Sequence, residues 1–230
     1  MTTTPRQLVF EIPHRPALGA ENFLVSQSNN AAVDLVDRWP DWPIGAAVIS
    51  GPAGSGKSHL ANVWRLRSNA RVLYAAEARQ AQVPKLADAG ALVIEDIDKG
   101  PLDEQALFHL LNLVREQRLA ILITTAIAPG DLDITLADLR SRLRALPVAE
   151  IAPPDDALLR AVLVKLFADR QLAVEPQVID YVLVRMERST AAAQRLVSTA
   201  DQLALAMHRA VTRPVAAAAL DALAASKSST

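Results

Sequence analysis

The sequence predicts an α/β protein in which a parallel sheet flanked by helices is followed by a small helical lid. Three observations carry that expectation. Short apolar runs alternate with helix-like patterns between residues 46 and 151. Those runs are continuous rather than alternating, as strands covered on both faces require. After Pro153-Pro154-Asp155, strand signals give way to helical stripes. The resulting division is a tail over residues 1–20, an α/β base over 21–153, and a helical lid with a short C-terminal tail over 154–230.

Each element has its own signal. Residues 1–20 are Pro-rich and aperiodic, with one extended stretch from Gln7 to Ile12 that reads as a tail lying on something else. Asn29 or Asn30 is placed to cap a helix reaching about Arg38, which Pro40 and Pro43 end. Residues 46–49, 71–74, 91–94, 119–125 and 146–151 read as five strands, the first four as buried runs. Between the third and fourth, Leu107, Leu110, Leu111 and Val114 recur at i, i+3, i+4 and i+7, one face of a helix. This alternation of strand and helix argues for parallel strands with helices on both sides. In the last third, three stripes mark helices: Leu159, Val162, Leu163, Leu166 and Phe167; then Val178, Val182 and Met186; then Leu196, Ala200, Leu203 and Met207. An alanine-rich stretch over 214–225 supplies a fourth.

Composition removes several functional classes. At 230 residues and 51% apolar content, a chain buries roughly 70% of its unfolded surface and needs no covalent staples. It has no cysteine, which excludes disulfides, thiolate metal sites and a cysteine nucleophile, and fits a reducing compartment. The 24 Lys and Arg against 25 Asp and Glu leave a net charge of −1, unlike a protein that coats duplex DNA. No apolar run approaches the ~20 residues of a membrane span, and the N-terminus lacks a signal-peptide pattern. The expectation is a soluble, cytoplasmic protein without membrane partners. His14, His59, His109 and His208 have no metal-ligand spacing.

Residues Gly51-Pro52-Ala53-Gly54-Ser55-Gly56-Lys57-Ser58 match the phosphate-loop pattern G-x-x-x-x-G-K-[ST] in full. A predicted strand precedes the loop, and a helical segment opening at His59 follows it, the context the motif needs. Glycines let backbone N–H groups turn inward around phosphates, and a helix N-terminus adds favourable charge. Lys57 would neutralise the β- and γ-phosphates, and the Ser58 hydroxyl would hold Mg²⁺. About forty residues on, Ala91-Leu92-Val93-Ile94 runs into Glu95 and Asp96, an apolar strand ending in carboxylates. Ser58, Glu95 and Asp96 are therefore the metal candidates. Arg140, Arg142 and Arg144 fall at i, i+2 and i+4, a spacing that suits a solvated helix face and a functional arginine alike.

Taken together, these stretches resemble the AAA+ ATPases, and within them the DnaA-like group. The resemblance spans nearly all of residues 5–210. It rests on Glu21-Asn22-Phe23-Leu24-Val25 with Ser28-Asn29, the phosphate loop, Glu95-Asp96, and Thr124-Thr125 before Pro129. Arg140-Ser141-Arg142-Leu143 and Glu150-Ile151-Ala152-Pro153-Pro154-Asp155 complete it. The resemblance implies an AAA+ base with a lid, binding of ADP or ATP with Mg²⁺, and a role in DNA replication.

Three features point to the regulators of that group rather than to the initiators. The chain stops near the end of the lid, where initiators continue into a helix-turn-helix domain. Residues 75–90 are shorter than the insertion that contacts single-stranded DNA in DnaA. Gln7-Leu8-Val9-Phe10 resembles the peptides that bind the DNA-polymerase sliding clamp, with Gln7, Leu8 and Phe10 as the docking residues. The partners so implied are DnaA and the clamp, with little or no direct duplex DNA binding; assembly into a homo-oligomer stays open. Arg142 aligns with the family's trans-acting arginine finger, and Arg140 is the reserve.

The sequence also departs from the family pattern. Glu95 stands where Asp is usual, and near-octahedral Mg²⁺ tolerates the extra methylene poorly. Either Glu95 acts through water, or Asp96 becomes the ligand and a good catalytic acid is lost. Ala126 replaces a polar residue. Gln194 falls where the lid arginine belongs, leaving Arg195 beside it to approach the nucleotide. These departures imply slow or absent hydrolysis by the chain alone. The alternative is a self-sufficient ATPase, a helicase loader or clamp-loader-like subunit, which needs an intact acid pair and sensors.

Overall fold

The computed structural model describes residues 23–116 and 119–227; the expected clamp-binding residues Gln7, Leu8 and Phe10 lie outside them. Helix α1 (Asn30–Asp37) leads into strand β1 (Ala46–Ser50), helix α2 (Lys57–Ser68) and strand β2 (Arg71–Tyr74). Two 3₁₀ turns and the short α3 (Val83–Ala87) connect to β3 (Ala91–Glu95). Then come α4 (Glu104–Arg115), β4 (Ala120–Thr125), α5 (Ala137–Ala145) and β5 (Val148–Glu150).

The five strands are all parallel, in the order β2-β3-β4-β1-β5. Their continuous apolar character has a direct cause. Ala47, Ile49, Val93 and Leu122 face one core with α1 and α2, while Val48, Leu92, Ile94, Ile121 and Ile123 face another with α4 and α5. Successive side chains alternate between faces, and each face is dry, so the central strands are apolar up to their C-terminal ends, where Ser50, Glu95, Thr124 and Thr125 stand. β2 corrects the expectation of a buried strand. It lies at the sheet edge, where Arg71, Val72 and Tyr74 are exposed and only Leu73 packs against a core.

Helices α6 (Asp156–Asp169), α7 (Pro176–Leu183), α8 (Thr190–Met207) and α9 (Arg213–Lys227) follow. A third core is drawn only from this segment, around Leu163, Phe167, Val182, Leu196 and Ala219. Side-chain caps define the starts of α6 and α8: Asp155 accepts the Leu158 N–H at 2.7 Å, and Ser189 accepts the Ala192 N–H at 3.1 Å. The stripe expected on α8 is shifted. Its buried face is Ala192, Ala193, Leu196, Val197, Ala200 and Ala204, while Leu203 is half-buried and Met207 exposed at the helix end. Among the described residues, no helix is long and apolar enough to cross a membrane.

Candidate nucleotide site

The parallel register brings the C-terminal ends of β1, β3 and β4 together, with Ser50 opposite Thr125 and Ile94 opposite Ile123. The phosphate loop leaves β1 at this edge. Gly51 and Gly54 adopt φ of +146° and +73°, and a Cβ at Gly51 would lie 2.3 Å from the Ile151 carbonyl oxygen. A side chain there would be both strained and blocked. Pro52 and Ala53 form the exposed outer turn of the loop. Gly56 precedes α2 with no side-chain cap on the helix, so first-turn N–H groups stay available to an anion. The Ser55 hydroxyl is buried and has no hydrogen-bond partner among the described residues.

Lys57 is buried, and its ammonium donates to the carbonyl oxygens of Gly51 at 2.6 Å and Pro52 at 2.9 Å. Burial, and then Lys99, hold its pKa below the usual lysine value, while Asp96, Asp98 and Glu95 pull it upward. This is a cation held inside the loop and ready to exchange carbonyls for phosphate oxygens.

The two carboxylates at the end of β3 have different surroundings. Glu95 is buried; its Oε2 accepts the Ser58 hydroxyl at 3.0 Å and the Thr124 hydroxyl at 2.8 Å. Thr124 Oγ1 in turn accepts the Asp96 N–H at 3.0 Å. Asp96 itself has φ +58°, and its carboxylate pairs with Lys99 at 3.0 Å. Of these two carboxylates, Glu95 is therefore the one joined to Ser58. Among the described residues no group of three or more His, Cys, Asp or Glu side chains gathers to hold a metal. A cation here would depend on Ser58, Glu95 and the phosphates themselves. Hard oxygen donors of this kind suit Mg²⁺, which usually keeps several waters and binds through few protein groups.

Beside the loop, a cleft of about 230 Å³ runs between base and lid. Phe23, Asn29, Gly56 and His59 form its base side; Val162, Lys165, Leu166, Thr190 and Gln194 form its lid side. The His59 ring packs on Phe23 with centroids 5.3 Å apart. Desolvation, and secondly Lys165, lower the His59 pKa, so the ring favours its neutral form.

Other predicted residues are not brought to this site. Arg195 corrects the expectation: it reaches toward Glu187 at 3.8 Å and lines a separate groove with Leu220 and Leu223. One residue along a helix is a rotation of about 100°, so Gln194 faces the cleft beside the phosphate loop while Arg195 faces away. Arg142 is half-buried on α5; its guanidinium lies 4.2 Å from the Phe108 ring centroid and donates to Asn112, both on α4. Arg140 is exposed, with a 3.4 Å bond to the Ile134 carbonyl. Glu104 fixes the entry to α5 by accepting the Thr135 N–H at 2.9 Å and the Leu136 N–H at 2.7 Å. Ala126 offers no polar side chain, and its N–H donates to Asp98 at 2.8 Å.

Sequence reasoning gave no site role to Thr124 or Thr190. The polar end of the β4 apolar run could have flagged Thr124, whereas nothing local marks Thr190.

No family model matches the chain. The chain is 26% identical over 196 residues to a chromosomal replication initiator protein, DnaA 2, of Chlamydia caviae, covering 73% of this chain and 42% of that protein. It is 27% identical over 204 residues to DnaA of Bacteroides thetaiotaomicron, covering 77% and 43%. It thus spans less than half the length of these curated relatives. Domain III of Thermotoga maritima DnaA superposes with a TM-score of 0.72 at 18% identity, over 90% of this chain and 96% of that one. AMPPCP-bound DnaA from Aquifex aeolicus gives 0.64 at 22% identity, over 83% and 65%. RuvB of Thermotoga maritima, a Holliday junction branch migration motor, gives 0.64 at 16% identity, over 77% and 61%. With the phosphate loop after β1, the acidic end of β3 beside it and helices closing over both, the chain has the fold of DnaA domain III and is similar in sequence to DnaA proteins.

Proposed function

We propose that this chain is a nucleotide-binding regulator of the kind exemplified by Hda. Recruited by the DNA-loaded sliding clamp, it stimulates ATP hydrolysis by DnaA and so prevents re-initiation of replication. The loop N–H groups, the Ser55 hydroxyl and Lys57 would hold the phosphates of ADP or ATP. Ser58 and Glu95 would hold Mg²⁺, whose contribution is to neutralise phosphate charge. The adenine side would lie in the cleft by Phe23 and His59.

The observation that carries this reading is the division between Glu95 and Asp96. The binding carboxylate is joined to Ser58 and Thr124, while the following acid is tied to Lys99 on a left-handed backbone. With Ala126 and Gln194 also without the family's polar and cationic groups, the site is equipped to bind nucleotide and poorly equipped to hydrolyse it. The chemistry then belongs to the partner. In DnaA, water attacks the γ-phosphorus, the bond to the β,γ-bridging oxygen breaks, and ADP and phosphate leave. Arg142, supplied across an interface, would stabilise charge on the transferring phosphoryl oxygens. Trans arginines of this kind contribute on the order of 10³–10⁵ in rate in GTPases. To reach a partner, the guanidinium must leave Phe108 and Asn112 or carry that contact into the interface.

The test follows radiolabelled ATP prebound to DnaA, with this chain and DNA-loaded clamp added. ADP release should accelerate, and Arg142→Ala should return the rate to that of DnaA alone while clamp retention persists. An unchanged rate with Arg142→Ala would remove the arginine from the mechanism. Fast turnover by the chain without DnaA would favour the self-sufficient ATPase instead.

A further inference from the structure

The lid meets the phosphate loop at Gly54. Thr190, the first residue of α8, donates twice to the Gly54 carbonyl oxygen, from its backbone N–H at 3.0 Å and from its hydroxyl at 2.7 Å. The approach is tight. A Cβ at Gly54 would come within 2.8 Å of the Ser189 Cβ and 3.0 Å of its Oγ. Ser189 is itself buried and caps α8. The contact is therefore made by the first turn of the helix whose buried face supplies much of the lid core.

A trans peptide holds its C=O and N–H in one plane, pointing to opposite sides of the C–N bond. Holding the Gly54 carbonyl toward α8 consequently turns the Ser55 N–H away from the lid. That N–H now makes a long bond, 3.3 Å, to the Pro52 carbonyl within the loop. The buried hydroxyl of the same residue, Ser55, finds no hydrogen-bond partner among the described residues. Gln194, one helical turn beyond Thr190, lines the same cleft and brings no charge.

We infer that Thr190 is a positioning residue which, by fixing the Gly54–Ser55 peptide, makes lid docking and phosphate binding favour each other. The inference rests on the nucleotide reading of the loop and adds how the lid senses the ligand. Coupling runs through the backbone of the loop rather than through a lid cation on the phosphates. Such coupling is reciprocal: nucleotide tightens the lid contact by the factor by which the contact tightens nucleotide.

The experiment uses the full chain alone, with fluorescent MgADP titration and amide hydrogen exchange across residues 188–196 with and without MgADP. Thr190→Val keeps the branched shape and loses the hydroxyl bond; Thr190→Ser keeps the hydroxyl. Thr190→Val should weaken ADP binding about three- to tenfold, the range for one lost hydrogen bond. It should also lose the ADP-dependent slowing of exchange in the first turn of α8, and Thr190→Ser should retain both. A Thr190→Val chain that binds ADP like the parent, or binds weakly with the slowing intact, overturns the inference, as does a serine variant that behaves like valine. If the parent chain fails to bind ADP, the nucleotide reading falls as well. If it binds and the valine variant is indistinguishable, only the coupling falls.

Discussion

Ile94 and Leu163 are both essentially fully buried, yet their cores are built on different rules. Ile94 lies in a strand with packed layers on both sides, so the residues that precede it, Ala91, Leu92 and Val93, are buried and apolar too. Leu163 lies on one face of α6, where Val164 on the other face is exposed. The base is pinned by long-range strand pairing. The lid is pinned by helices packing through small residues, Ala193, Ala200, Ala216 and Ala219 among them. The phosphate loop belongs to the base, while the lid supplies one wall of the cleft and the hydrogen bonds to Gly54. All three tryptophans, Trp39, Trp42 and Trp64, cluster in the base, so their fluorescence reports on one region only.

The largest effect that would sharpen this contrast is chemical. Lys57→Ala should reduce ADP affinity about a hundredfold or more, because it removes charge-assisted bonds to phosphate. Isothermal titration checks it, and helix content should not change. The next effect is on stability. Ile94→Ala and Leu163→Ala should each cost about 2–5 kcal/mol. In urea, Ile94→Ala should move the tryptophan fluorescence transition, whereas Leu163→Ala should move the circular dichroism curve and leave tryptophan in place. Curves that shift together for both variants would show that the two cores unfold as one unit. The smallest effect lies between the regions. The His59 pKa is lowered in the folded chain, from an ordinary value near 6.5, by desolvation and then by Lys165. The unfolded chain therefore binds more protons, so this contribution to stability is full above about pH 6.5 and declines as pH falls below it. Thermal melts from pH 7.5 to 5.5 should show a shallow loss, and His59→Gln should flatten it.

How far the sequence reaches differs from residue to residue. The strands at 46–50, 91–95 and 120–125 are legible because a doubly covered strand has no choice of composition. β2 reads the same way and yet is an edge, since a short apolar run does not say how many neighbours it has. The phosphate loop is legible because its pattern is local: eight consecutive residues, Gly51 to Ser58, carry the whole motif. The carboxylate pair is only half legible. Adjacent Glu95 and Asp96 look interchangeable until Ser58 and Thr124 select one and Lys99 occupies the other. On α8, Gln194 and Arg195 are likewise adjacent, and only the orientation of the helix against the base decides which one meets the cleft.

Local patterns thus determined the order of elements, the phosphate loop and the division of apolar residues between sheet and helices, because each depends on spacing within a few turns or strands. Tertiary structure decided which carboxylate serves Ser58, where Arg142 and Arg195 point, and that Thr190 meets Gly54. Those pairings join residues separated by 30 to 136 positions or choose between immediate neighbours. Neither choice exists until the chain has folded and one surface faces another.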